Sequence, residues 1–205
     1  MYETFENLPE NRREHILKVC MEEFAVNGYE KTSTNTIVKK LGISKGVLFL
    51  YFGSKKNLFM YIMEYLTGYV VALFFERFPG HEPLQFIDIF DHMGELYHIL
   101  LSENPFIIMF YMEALLNTPV ELRVEIDSRH EKAHQLFLNK MHISNMRQGV
   151  EIQMALDLVH MVSYYVGQRI FREYGGNMDF FRENADRYIE LFNRYIDIVK
   201  YGVYE

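Results

Sequence analysis

The chain has 205 residues and a formal net charge of −7, from 21 Lys+Arg against 28 Asp+Glu. Hydrophobic residues make up 49% and charged residues 24%, a globular balance that excludes a disordered or collagen-like chain. The single cysteine, Cys20, excludes an intramolecular disulfide framework and a cysteine-cluster zinc site.

The longest uncharged apolar run, Tyr65 to Phe75, is too short to cross a bilayer. Glu3, Glu6 and Glu10 stand where a secretory signal needs positive and then apolar residues. A soluble, cytoplasmic chain without membrane association is expected. Five prolines and long stretches rich in Leu, Met, Glu, Lys and Arg favour an all-α fold.

Pro9, Glu10 and Gly28 bracket a first helix from about Pro9 to Asn27, with Ile16, Val19, Cys20 and Phe24 on its apolar face. Ser33 or Thr34 can cap a short second helix that ends at Leu41, before Gly42. Ser44 can cap a third, from Lys45 to about Phe52, closed by Gly53-Ser54. A long fourth helix runs from about Lys55 to Phe78. Five more follow, near Leu84–Leu101, Phe106–Leu116, Val120–Met141, Ile152–Tyr174 and Asp179–Tyr201, which makes nine. No alternating strand pattern or internal repeat is present.

Charge is unevenly spread along these elements. Residues 31–56 hold Lys31, Lys39, Lys40, Lys45, Lys55 and Lys56 and no acid. A short basic segment in an acidic chain points to a local polyanion-binding face. The same segment holds two short helices joined at Gly42, the layout of a helix-turn-helix. That motif sets the first turn of its second helix in the major groove of DNA. Gly46 lies in this turn, where glycine costs about 1 kcal/mol relative to Ala in a helix. Close approach to DNA is one reason to keep it there.

The string from Gly42-Ile43-Ser44-Lys45-Gly46-Val47-Leu48-Phe49-Leu50-Tyr51-Phe52-Gly53 to Ser54-Lys55-Lys56-Asn57-Leu58 resembles the signature of the tetracycline-repressor (TetR) family. Phe24, Gly28, Thr32, Ser33 and Ile37 fit the same pattern upstream. The resemblance implies a helix-turn-helix DNA-binding domain over residues 9–56, and a helical bundle over 57–205 that senses a ligand and dimerises. Phe49 departs from the family's frequent Tyr, and Leu50 from its His or Tyr.

The chemistry of the residues gives each a role. Ser33 and Thr34 can offer hydroxyl or amide groups to a phosphate, and Asn35 can reach the backbone or a base edge. Ser44, Lys45 and Gly46 form the leading end, with Lys45 suited to a guanine edge or a phosphate and Val47 to a thymine methyl. Tyr51, Lys55 and Lys56 are phosphate candidates. Phe49 is either a contact or a packing residue.

The last two long helices carry more apolar residues than one buried stripe needs: Leu156, Val159, Val162, Tyr165, Val166 and Ile170, then Tyr188, Phe192, Tyr195, Ile196 and Val199. They are the expected homodimer surface, and two copies would read a palindromic double-stranded operator. The resemblance also implies a pocket for a small, lipophilic or aromatic effector. Its candidate lining is Phe90, Met93, Tyr97, Met109, Phe110, Glu113, Phe137, His160, Met161 and Tyr164. No cofactor, metal or catalytic residue is expected.

Two alternatives stay open at this level. Glu95/His98 and Glu131/His134 are both Glu-x-x-His on expected helices and, with Glu64 and Glu113, match the composition of a di-iron carboxylate site. A DNA-binding or interaction module without a ligand is the other.

Overall fold

Helix begins almost at once. The computed structural model describes residues 2–78, 84–138, 141–142, 146–174 and 177–203. One short turn, α1 (Glu3–Glu6), precedes α2 (Glu10–Lys31), α3 (Thr34–Leu41), α4 (Lys45–Phe52) and α5 (Lys55–Arg77). Then come β1 (Leu84–Gln85), α6 (Phe86–Glu103), α7 (Pro105–Leu116), α8 (Val120–Leu138) and β2 (Met141–His142). The chain closes with α9 (Ile152–Tyr174), α10 (Met178–Glu183) and α11 (Ala185–Val203). The two strands are two residues long and parallel, with Leu84 opposite Met141.

All nine expected helices are present in this all-α fold. Additional are the α1 turn, the two short strands, and a break at Asn184 that divides the last expected helix. Asn177 starts that divided stretch, its Oδ1 accepting the Asp179 and Phe180 amides.

Serine caps set the register of the early helices. Ser33 Oγ accepts the Asn35 amide at 3.3 Å, Ser44 Oγ the Val47 amide at 3.2 Å and Ser54 Oγ the Asn57 amide at 3.0 Å. Each satisfies an amide that the first helical turn leaves open. Gly42 ends α3 at φ +64°, a left-handed conformation that a side chain makes costly.

The described chain forms two compact units. One comprises Met1–Val70 with Met109–Arg129, the other Val71–Ile108 with His130–Glu205. In the first, Ile16, Leu17, Cys20 and Phe24 of α2, Ile37 of α3, and Leu48 and Phe52 of α4 are buried. Leu58, Phe59, Ile62 and Met63 of α5 join them. Burial pushes the Cys20 thiol up to about 12, which makes it a packing group and no nucleophile. Phe5 of α1 is fully buried against Tyr51, Phe52 and Tyr61, at centroid distances of 5.8, 4.7 and 5.3 Å. In the second unit Ala155, Val166, Phe192, Ile196 and Val199 form the centre of the core. There Tyr97 of α6 meets Phe192 edge-on at 5.4 Å.

One expectation needs amending. Although no long uncharged apolar run exists, α5 as a whole is long and apolar enough to cross a membrane. Its buried face is engaged in the core of the first unit, from Leu58 to Leu66.

Candidate nucleic-acid interface

Ser44 and the eight residues of α4 divide cleanly. Leu48, Tyr51 and Phe52 are buried, whereas Ser44, Lys45, Gly46 and Leu50 are exposed and Val47 and Phe49 are half-buried. Lys45, Gly46, Phe49 and Leu50 recur at one- and four-residue steps, so they share one helix face. Lys45 Nζ lies 5.8 Å from the Phe49 ring centroid, and among the described residues no carboxylate pairs with it. The Ser44 oxygen accepts a backbone amide, which leaves its own proton free to donate outward.

At the start of α3, Ser33 and Asn35 are exposed and Thr34 is half-buried. The first turn of α3 contains no acid. Both short helices therefore present uncompensated N-terminal dipoles next to hydroxyl groups and lysines, a favourable setting for phosphate.

Three expected phosphate contacts are occupied otherwise. The Tyr51 side chain is only 7% exposed and packs on Phe5. Lys55 donates to the Glu30 carbonyl oxygen at 3.1 Å, and burial holds its pKa below the usual lysine value. Lys56 pairs with Glu125 at 2.8 Å, which lowers the Glu125 carboxyl. Lys40 pairs with the buried Glu23, and Lys39 remains exposed.

The expected pocket residues fall in both units. Met109 and Phe110 are buried in the first unit, where Phe110 lies 5.0 Å from Phe59 and 6.4 Å from Phe24. Glu113 sits in the same unit against Gly28. Tyr97 packs in the core of the second unit, and His160 is half-buried. Met161 is 67% exposed and Tyr164 is exposed beside it. The side chains of Phe90, Met93 and Phe137 lie outside the described residues.

The expected dimer residues divide as well. Val166, Tyr188, Phe192, Ile196 and Val199 are buried within the chain, and Leu156, Val159, Val162, Ile170 and Tyr195 are half-buried. Tyr165 alone of that set is exposed. The outward stripe of α9 is instead Met154, Leu158, Met161 and Tyr165, and α11 exposes Ile198 and Tyr201.

Several residues of the di-iron alternative have other partners. Arg129 takes Glu64, Asn117 donates to Glu113 at 2.7 Å, and His98 lies 3.4 Å from Asp186. Glu95 is exposed, and Glu131 accepts from Gln135 at 3.1 Å. The His134 side chain lies outside the described residues. Among the described residues no three His, Cys, Asp or Glu gather to hold a metal.

Comparison with known proteins identifies the segment that carries this surface. Residues 16–62 match the family model of bacterial regulatory proteins, tetR family. The chain is similar to the HTH-type transcriptional regulator QacR of Staphylococcus aureus, 45% identical over 54 residues, which is 26% of this chain and 29% of that protein. The matches span 28% to 48% of the length of five curated relatives. Solved structures share the fold across nearly the whole chain. A TetR family transcriptional regulator from Chloroflexus aurantiacus J-10-FL is 21% identical with a TM-score of 0.61, over 99% of this chain and 98% of that one. The transcriptional regulator FadR from Bacillus subtilis, solved in complex with stearoyl-CoA, is 15% identical with a TM-score of 0.63, over 91% of this chain and 96% of that one. Residues 16–62 thus carry the motif of the tetR family model, and the chain shares the fold of solved TetR family structures.

Proposed function

We propose that the chain is a cytoplasmic, ligand-responsive transcriptional regulator and not an enzyme: a repressor that binds a palindromic operator as a homodimer and leaves it when a small effector binds. The observation that carries this reading is the exposed, acid-free leading end of α4, where Ser44, Lys45 and Gly46 stand together and, among the described residues, no carboxylate pairs with the lysine. Ser33, Thr34 and Asn35 at the start of α3 supply the backbone contacts. Val47 and Phe49 complete the reading face. Tyr51, Lys55 and Lys56 support it from behind.

Dimerisation uses the outward stripe Met154, Leu158, Met161 and Tyr165 of α9 with Ile198 and Tyr201 of α11. Exposed apolar side chains in such a row mark an interaction surface. Two reading heads then address half-sites about 34–36 Å apart or a multiple of that distance. The buried side chains of α9 and α11 hold this platform in shape.

The effector is a lipophilic or aromatic small molecule, in keeping with the Met- and aromatic-rich stretch 59–175 and with the stearoyl-CoA in the FadR structure. It acts by preferring a state of the dimer whose heads do not fit the operator. Its leverage is its affinity ratio for the two states, about 1–3 kcal/mol. Selection of duplexes from a random pool by purified protein, followed by titration of candidate acyl and aromatic compounds, tests both halves. A palindrome released by one of them is the expected result, and no enrichment of any duplex refutes the proposal.

A further inference from the structure

Glu113 is the one charged residue of α7, and it is 8% exposed. A carboxylate buried on an apolar helix is unfavourable unless its oxygens are used. One oxygen, Oε2, accepts from Asn117 Nδ2 at 2.7 Å. The other, Oε1, lies against Gly28, where a Cβ would stand 2.1 Å away. A side chain there would push the carboxylate off, and Gly28 takes φ +71°, which favours glycine and breaks the helical path of α2.

From Gly28 a run of buried polar groups reaches α3. The Gly28 carbonyl oxygen accepts both the Thr32 amide, at 3.2 Å, and the Thr32 hydroxyl, at 2.7 Å. That hydroxyl also lies 3.0 Å from the Glu23 carbonyl oxygen. Thr32 and Glu23 are buried, and the Glu23 carboxylate pairs with Lys40 of α3. Thr32 directly precedes Ser33, the residue that caps α3. Phe110, three residues before Glu113, is packed on Phe24 and Phe59 and fixes α7 beside this route.

We infer that Glu113 is a positioning residue for the reading head: its carboxylate, seated on Gly28, passes the position of α7 to the turn that aims α3 and α4. This rests on the regulator reading above and adds a route for its control. Withdrawal of α7 takes the carboxylate off Gly28 and frees the 28–32 turn. Binding of DNA favours the seated state.

The test compares full-length wild type with Glu113→Ala and Glu113→Gln by amide hydrogen exchange, by affinity for the duplex that wild type retains from a random pool, and by urea unfolding. In Glu113→Ala the Thr32 amide, which donates to Gly28, exchanges on the order of tenfold faster, and duplex affinity falls by a similar factor. Glu113→Gln keeps the shape and can still accept from Asn117, so it restores both toward wild type. Unchanged exchange at Thr32, or acceleration spread evenly over both units in step with a lowered urea midpoint, overturns the inference. Should Glu113→Ala fail to fold, Glu113→Asp takes its place, because its shorter side chain cannot reach Gly28; local acceleration at Thr32 is again expected. If wild type retains no duplex, the regulator reading fails while the exchange comparison still decides the role of Glu113.

Discussion

Lys55 donates its ammonium to the Glu30 carbonyl oxygen at 3.1 Å and lies 4.7 Å from the centroid of the Tyr29 ring. The first residue of α5 thus ties down the last turn of α2, where the helix dipole favours a cation. Lys55→Met should lower unfolding stability by about 1 kcal/mol or less, since the contact is partly exposed. It should also leave the salt dependence of duplex binding nearly unchanged. A loss of one full phosphate contact from the salt slope would instead place Lys55 on DNA.

Lys45 has the opposite character. It is exposed and unpaired by acid among the described residues. Lys45→Ala should leave the urea midpoint within about 0.5 kcal/mol of wild type. It should weaken duplex binding and reduce the salt slope by about one for each head engaged. A shifted midpoint with an unchanged slope would make Lys45 a structural residue.

At Gly46 the two demands on α4 separate. A Cβ there would meet only Ser44 Oγ, at 3.7 Å. Gly46→Ala should therefore raise stability by up to about 1 kcal/mol through helix propensity alone. Duplex affinity should fall, because on the proposed reading the methyl group would stand between the helix and the groove. Stability and affinity rising together would contradict close approach at this position.

Burial raises the Glu113 carboxyl above the ordinary range, against the Asn117 hydrogen bond and the Lys31 charge, both of which favour the anion. The folded chain keeps that proton at pH values where the unfolded chain has released it. Stability from this group is thus lost as pH rises from the unfolded value, about 4.3, through the folded one. Glu113→Gln has no such window. Its stability relative to wild type should grow across that interval and level off above it, read as urea midpoints against pH. A difference that stays flat with pH would show that the group does not titrate in this way.

Much of the early fold was legible because local groups decide it. Ser33 and Ser44 cap the helices they were expected to cap, and Gly28 and Gly42 take positive φ where the helical pattern breaks. What local pattern cannot supply is the partner across the fold. Phe5 reaches Phe52 and Tyr61, and Glu113 reaches Gly28, across more than forty intervening residues. Neither pairing leaves a periodic trace. The eight residues of α4 are too uniformly apolar for spacing to separate buried Tyr51 from half-buried Phe49. In α9 apolar residues lie on several sides, so their excess could not tell buried Val166 from Met154, Leu158 and Met161, which face out.

That outward stripe gives a direct oligomer test. If the wild type is the proposed dimer, Met161→Arg should convert it to monomer in sedimentation at micromolar concentration. Val120→Arg, on an exposed apolar position of α8, should leave the dimer intact. A dimer unaffected by Met161→Arg would place the interface elsewhere.

The most direct measurement is the affinity of purified protein, across a salt series, for the duplex it enriches from random sequence. The account predicts a two-fold symmetric site and a log affinity that falls steeply and linearly with log salt. An absence of enrichment at low salt, or an affinity indifferent to salt, would contradict it.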